Sequence, residues 1–72
     1  MSELLGKRLR ALRRLKRLTQ DDLANASGIS VSMLSTIERG VKYPRVDLLR
    51  KFARVLEVSP EELFILPEVN SN

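Results

Sequence analysis

The 72-residue sequence predicts an all-α fold, a compact bundle of five short helices. Three observations lead there. Apolar residues recur at spacings of three and four in each segment, the period of a helix with one buried face. Every interruption of that period carries a helix stop or start residue, among them Gly28, Ser30, Gly40, Pro44 and Ser59-Pro60. The composition is 43% apolar with only two phenylalanines and one tyrosine, which suits an aliphatic, helix-rich core. A chain this short has room for one domain with a small core.

The first helix is expected over residues 3–16. Leu5, Leu9 and Leu12 form its inward edge, and Leu4, Ala11 and Leu15 widen the apolar arc. Its arginine-rich, amphipathic character also fits an organelle transit sequence or a helix lying on a membrane surface. Against both, Leu18 and Thr19 carry the pattern directly into the next helix with no cleavage-like spacer.

Thr19-x-x-Asp22 reads as a capping box that opens the second helix. Leu23 and Ala24 supply that helix with its inward face, and Gly28 ends it. Ser30 restarts the chain as an N-cap for a third helix over 31–39, whose inward edge is Leu34 and Ile37. Ala24 and Gly28 are small where two helices must cross closely and steeply, so residues 20–39 have the form of a helix-turn-helix. Ser32, Ser35 and Thr36 point outward from the third helix, with Arg39 at its end. Short polar side chains of this kind suit a surface that enters a DNA groove, and Met33 falls between that side and the core.

Gly40 offers a left-handed C-cap and Pro44 closes the loop 40–44 before a fourth helix over 46–56. That helix buries Leu48, Leu49, Phe52, Ala53 and Leu56 and leaves Arg50, Lys51 and Arg54 wet. Ser59-Pro60-Glu61-Glu62 is a strong start for a fifth, over 60–66 and stopped by Pro67. Leu63 should complete the core. Phe64, Ile65 and Leu66 are more apolar residues than so short a helix can bury. They are either a satellite of the monomer core or a two-fold dimer contact. Residues 1–67 are thus the domain, and 68–72 are expected to be a disordered tail.

These residues carry a resemblance. The runs LTQDDLA (18–24), SGIS (27–30) and LSTIERG (34–40), with Pro44, resemble the Cro/C1-type (XRE-like) helix-turn-helix family. Lambdoid phage repressors, many small bacterial regulators and restriction–modification controller proteins belong to it. The match continues through LGKRLRALR (5–13) and LLRKFARVLEVSPEEL (48–63), so it covers about residues 5–66. It implies a lambda-repressor-like fold and a regulator of transcription that binds double-stranded DNA, as a homodimer on a roughly palindromic operator. It also implies a bacterial or phage-encoded, cytoplasmic protein associated with the nucleoid.

The resemblance assigns individual residues too. Arg13 and Glu38 fall where the family pairs an arginine with a glutamate, and a bidentate bridge there ties the first helix to the third. Gln20 falls where the family sets an amide against a DNA phosphate at a helix N-terminus. Ser30, Arg39, Lys42 and the loop amides are further candidates for the backbone. Arg45, after the proline, falls where some phage repressors reach the backbone or a narrow minor groove. Two departures matter. The family often has glycine at the position of Arg17, so the C-cap of the first helix is expected to be strained or differently shaped. Relatives often carry glutamine at Val31, and valine can only meet a thymine methyl. With Val31, Ser32, Ser35 and Thr36 as its base-reading set, direct readout is thin, and specificity should lean on DNA shape, water and dimer spacing.

Composition and charge narrow the function classes. Cysteine and histidine are absent, which removes disulfides, thiolate metal sites and the commonest general base. No cofactor or metal is expected. No apolar run is long enough to span a membrane. The formal net charge is +4, and it is unevenly placed. Residues 7–17 carry seven bases and no acid, whereas residues 55–72 carry four acids and no base. One end of the domain should be positive and the other negative. A hydrolytic enzyme would need an acid/base set, and Asp21, Asp22 and Glu38 are better explained as caps and a salt bridge. The remaining alternative is an antitoxin or protein-interaction module with DNA binding secondary.

Overall fold

The structure, a computed structural model, describes residues 2–63. It is all-helical over that span, with α1 (Ser2–Leu15), α2 (Gln20–Ser27), α3 (Val31–Glu38), α4 (Val46–Leu56) and α5 (Pro60–Leu63). The expected fifth-helix residues 64–66 and the tail 68–72 lie outside the described residues.

The core is aliphatic apart from Phe52. Leu5, Leu9, Leu12, Leu23, Ala24, Leu34, Ile37, Leu49, Ala53, Leu56 and Leu63 surround that ring, all buried. Leu48 is only half-buried at its edge. α1 packs on α3, α2 on α3 and α4, and α5 on α4 and α1. Burial of this kind, about 25 cal/mol per Å² of apolar surface, is the main source of stability in so small a domain.

The helix ends follow the local chemistry. At α2 the Thr19 hydroxyl accepts from the Asp22 amide at 3.0 Å, and the Asp22 carboxylate accepts from the Thr19 amide at 2.9 Å. The bond from the Thr19 amide foremost, and then the Thr19 hydroxyl beside the carboxylate, hold the Asp22 carboxyl below its usual pKa. Ser30 Oγ accepts from the Met33 amide at 3.0 Å to open α3. Arg45 stands at the N-cap of α4 with no side-chain cap bond.

Two expectations need correction. Leu4, Ala11 and Leu15 do not widen the buried arc of α1; all three are exposed, because α3 and α5 meet α1 on its Leu5–Leu9–Leu12 side only. Gly28 is not a close-approach residue. A side chain there would meet nothing within 4 Å, and the glycine is needed for its φ of +75° at the α2 C-cap. The close crossing is instead at Gly6 of α1, where a Cβ would come 2.4 Å from the Glu38 carbonyl oxygen and 2.7 Å from that of Ile37.

Arg17 takes the left-handed conformation, φ +60°, where the family often has glycine. Its turn is closed by the Leu18 amide reaching the Arg13 carbonyl at 3.0 Å. Glu57 does the same after α4, with φ +59°. Neither side chain favours this region.

Candidate nucleic-acid interface

The site is built from the N-terminus of α2, the outer face of α3 and the loop that follows it. A buried ion pair holds these pieces to α1. Arg13 Nε donates to Glu38 Oε2 at 2.7 Å and Arg13 Nη2 to Glu38 Oε1 at 3.1 Å, a bidentate bridge. Arg13 Nη1 also donates to the Leu18 carbonyl at 2.8 Å, so one guanidinium joins α1, the turn before α2 and α3. The Glu38 side chain is fully excluded from solvent. Burial alone would raise its pKa. Hydrogen bonds from Arg13 and Gln20, with the charges of Arg13 and Arg10, outweigh that and hold it below its ordinary value of 4.5.

Gln20 belongs to this network. Its Nε2 donates to Glu38 Oε1 at 3.0 Å, which fixes the half-buried side chain at the first residue of α2. One amide proton and the amide oxygen remain for an outside partner. The expected phosphate ligand is therefore oriented from behind by the buried carboxylate.

Along α3, Ser32 is exposed, while Val31, Ser35 and Thr36 are half-buried. Val31 rests partly on the core. The Thr36 hydroxyl donates to the Ser32 carbonyl at 2.9 Å, leaving its oxygen to accept and its methyl to make apolar contact. Met33 lies half-buried beside a shallow groove that it shares with Ile37, Tyr43, Pro44 and Leu48. Lys42 and Arg45 line the same groove, next to α3. Ser30, Arg39, Lys42 and Arg45 are all exposed. Phe64, Ile65 and Leu66 lie outside the described residues.

Arg10 was not singled out in the sequence, and at Gly40 the left-handed conformation was expected but its contact with α1 was not. Arg10 Nε lies 3.6 Å from Glu38 Oε1, and with Lys7 and Arg39 it lines a concave surface between α1 and α3. Its place three residues before Arg13, on the same helix face, was the available signal. Gly40, φ +81°, lets the loop pass against α1. A Cβ there would come 2.8 Å from Glu3 Cα. Only the tertiary packing reveals that contact.

Comparison with known proteins agrees with this architecture. A helix-turn-helix family model matches residues 9–63. The chain belongs to the Cro/C1-type helix-turn-helix family. It is a DNA-binding domain of the kind used in transcription regulation. It is 47% identical over 62 residues to the uncharacterized HTH-type transcriptional regulator YazB of Bacillus subtilis, a match over 86% of this chain and 90% of the relative. Longer regulators match too, the chain spanning 43% and 41% of two of them. Among solved structures it resembles the restriction-modification controller protein C.AhdI from Aeromonas hydrophila. The TM-score is 0.84 at 38% identity, covering 88% of this chain and 96% of that one. It also resembles the biofilm master regulator SinR, solved in complex with DNA, with a TM-score of 0.80 at 34% identity over 85% of this chain and 98% of that one.

Proposed function

We propose that this protein represses transcription as a homodimer that places α3 of each copy in successive major grooves of a roughly palindromic operator. The observation that carries the reading is the company α3 keeps. Gln20 at the α2 N-terminus is bonded to Glu38 at the end of α3, exposed Arg39 follows that helix, Lys42 and Arg45 line the groove beside it, and Ser32, Ser35 and Thr36 are exposed or half-buried along it. In this reading the polar and cationic groups around α3 grip phosphates, and its short side chains approach base edges. Val31 contributes apolar contact with a thymine methyl, and Arg45 reaches the backbone or minor groove beside the two-fold axis.

A single copy makes few phosphate contacts, so pairing two copies supplies useful affinity by linking two weak sites. The recognition helices then stand about 34 Å apart, one helical turn of DNA. Phe64, Ile65 and Leu66 form the contact between copies in this reading. Repression follows from occupying promoter DNA and needs no further surface.

Selection of bound fragments from random duplex DNA tests this. A two-fold symmetric site with half-sites about one turn apart is expected. An enriched site without symmetry would remove the dimer, and no enrichment at all would remove sequence-specific recognition.

A further inference from the structure

The three α1 side chains that leave the core are not scattered. Leu4, Ala11 and Leu15 are spaced by seven and four, so they line one face of the helix, and Leu4 and Leu15 are 43% and 74% exposed. Arg8 lies between this stripe and the core, and its Nε donates to the Glu62 carbonyl of α5 at 2.8 Å. Leu63, the next residue, is fully buried. The chain therefore leaves α5 at the border of the apolar stripe, and the residues that follow are Phe64, Ile65, Leu66, Pro67 and Glu68.

Charge selects what covers the stripe. Exposed Lys7 and Arg14 flank it on one side and Arg8 on the other, so two copies of α1 laid face to face would oppose like charges. The segment after residue 55 carries acids and no base, which makes Phe64–Glu68 complementary in both polarity and sign. The homodimer reading places the occupant on another copy, and the stripe from Leu4 to Leu15, about 16 Å long at 1.5 Å per residue, exceeds the roughly 10 Å that three extended residues reach. A two-fold exchange covers each stripe with the partner's segment and with the α5 end that carries it.

We infer that the Leu4–Ala11–Leu15 face of α1 is the seat for Phe64, Ile65 and Leu66 of a second copy. This rests on the homodimer reading above and names the surface that receives the contact.

The absence of cysteine makes a cross-linking test clean. Ala11→Cys and Ile65→Cys variants, distinguished by tags of different length, are mixed and mildly oxidised. A mixed covalent dimer is expected, well above the yield of either variant alone. A doubly substituted chain that bridges only within itself would show its own segment on the stripe and overturn the inference. Sedimentation of Leu15→Glu provides the second reading: dimerisation at least tenfold weaker, with an unchanged far-ultraviolet circular dichroism spectrum of the folded chain. Intact Leu15→Glu dimers would overturn this inference and leave the homodimer standing. An unsubstituted protein that sediments as a monomer at all concentrations would overturn both.

Discussion

Arg13 and Glu38, separated by 25 positions in the chain, meet in a bidentate ion pair at 2.7 and 3.1 Å with the carboxylate wholly out of solvent. The pair joins α1 to the end of α3, and Gln20 hangs from the same carboxylate. Stability and the placement of Gln20, the proposed phosphate ligand, therefore depend on one buried group.

Removing the carboxylate leaves the Arg13 guanidinium charged and unpaired. Glu38→Ala should cost about 3 kcal/mol, within the range for breaking a buried pair. For a domain this small that corresponds to a fall in Tm of about 15 °C. Arg10→Ala removes only the longer, partly exposed contact at 3.6 Å and should cost under about 1 kcal/mol. Urea denaturation of the two variants checks the contrast; equal losses would show that Glu38 is not held chiefly by Arg13.

The same pair sets an acid limit. The Glu38 pKa is lowered on folding, so the unfolded chain binds the proton more readily. Its contribution is fully present above the ordinary value of 4.5 and is lost as pH falls through the lower folded-state value. Asp22 is shifted in the same direction from a lower ordinary value of 3.8, so its contribution is lost further down the acid range. Thermal melts from pH 7 downward should show stability falling below about pH 4.5, with a shallower fall in Glu38→Gln. An identical pH profile in that variant would contradict the assignment.

Gly6→Ala should destabilise by about 1–3 kcal/mol, because the added methyl meets fixed backbone carbonyls rather than a side chain that can turn aside. Alanine is otherwise the better helix former, so a gain in Tm would show that α1 and α3 are further apart than described here.

Arg17→Gly should do the opposite. Relief of a left-handed arginine is worth about 1–2 kcal/mol, offset by the larger backbone entropy of glycine at about 0.5–1 kcal/mol. A net gain of about 0.5–1 kcal/mol in chemical denaturation is expected. A loss would mean that the Arg17 side chain contributes contacts of its own.

Much of this was legible in the chain because local chemistry decides it. The Thr19–Asp22 box, the Ser30 cap and the apolar period of Leu5, Leu9 and Leu12 are signals contained within a few residues, and the helices follow them. The resemblance placed Arg13 opposite Glu38, a pairing that periodicity alone could not supply. What stayed hidden depends on which neighbour packs where. Leu4, Ala11 and Leu15 fit an amphipathic arc, yet no element covers them among the described residues. Gly28 and Gly6 are both glycines next to helix contacts, and only the packing distinguishes a residue needed for its φ from one needed for its missing side chain. The engagement of Gln20 by Glu38 was likewise invisible, since it requires α2 and α3 to be already crossed.

The residues proposed to contact phosphate should act alike on every sequence. Gln20→Ala and Lys42→Ala are expected to weaken binding to specific and non-specific duplexes in parallel, whereas Ser32 and Thr36 substitutions should change which sites are preferred. Competition binding against two unrelated duplexes separates the two classes of contact.

The most direct measurement is a fluorescence-anisotropy titration of the purified protein with duplex DNA across a salt series. Binding at low ionic strength is expected, with log affinity falling linearly in log salt by roughly 0.9 for each phosphate neutralised. No binding to any duplex at low salt, or an affinity indifferent to salt, would contradict an interface made of α3 and the cations around it.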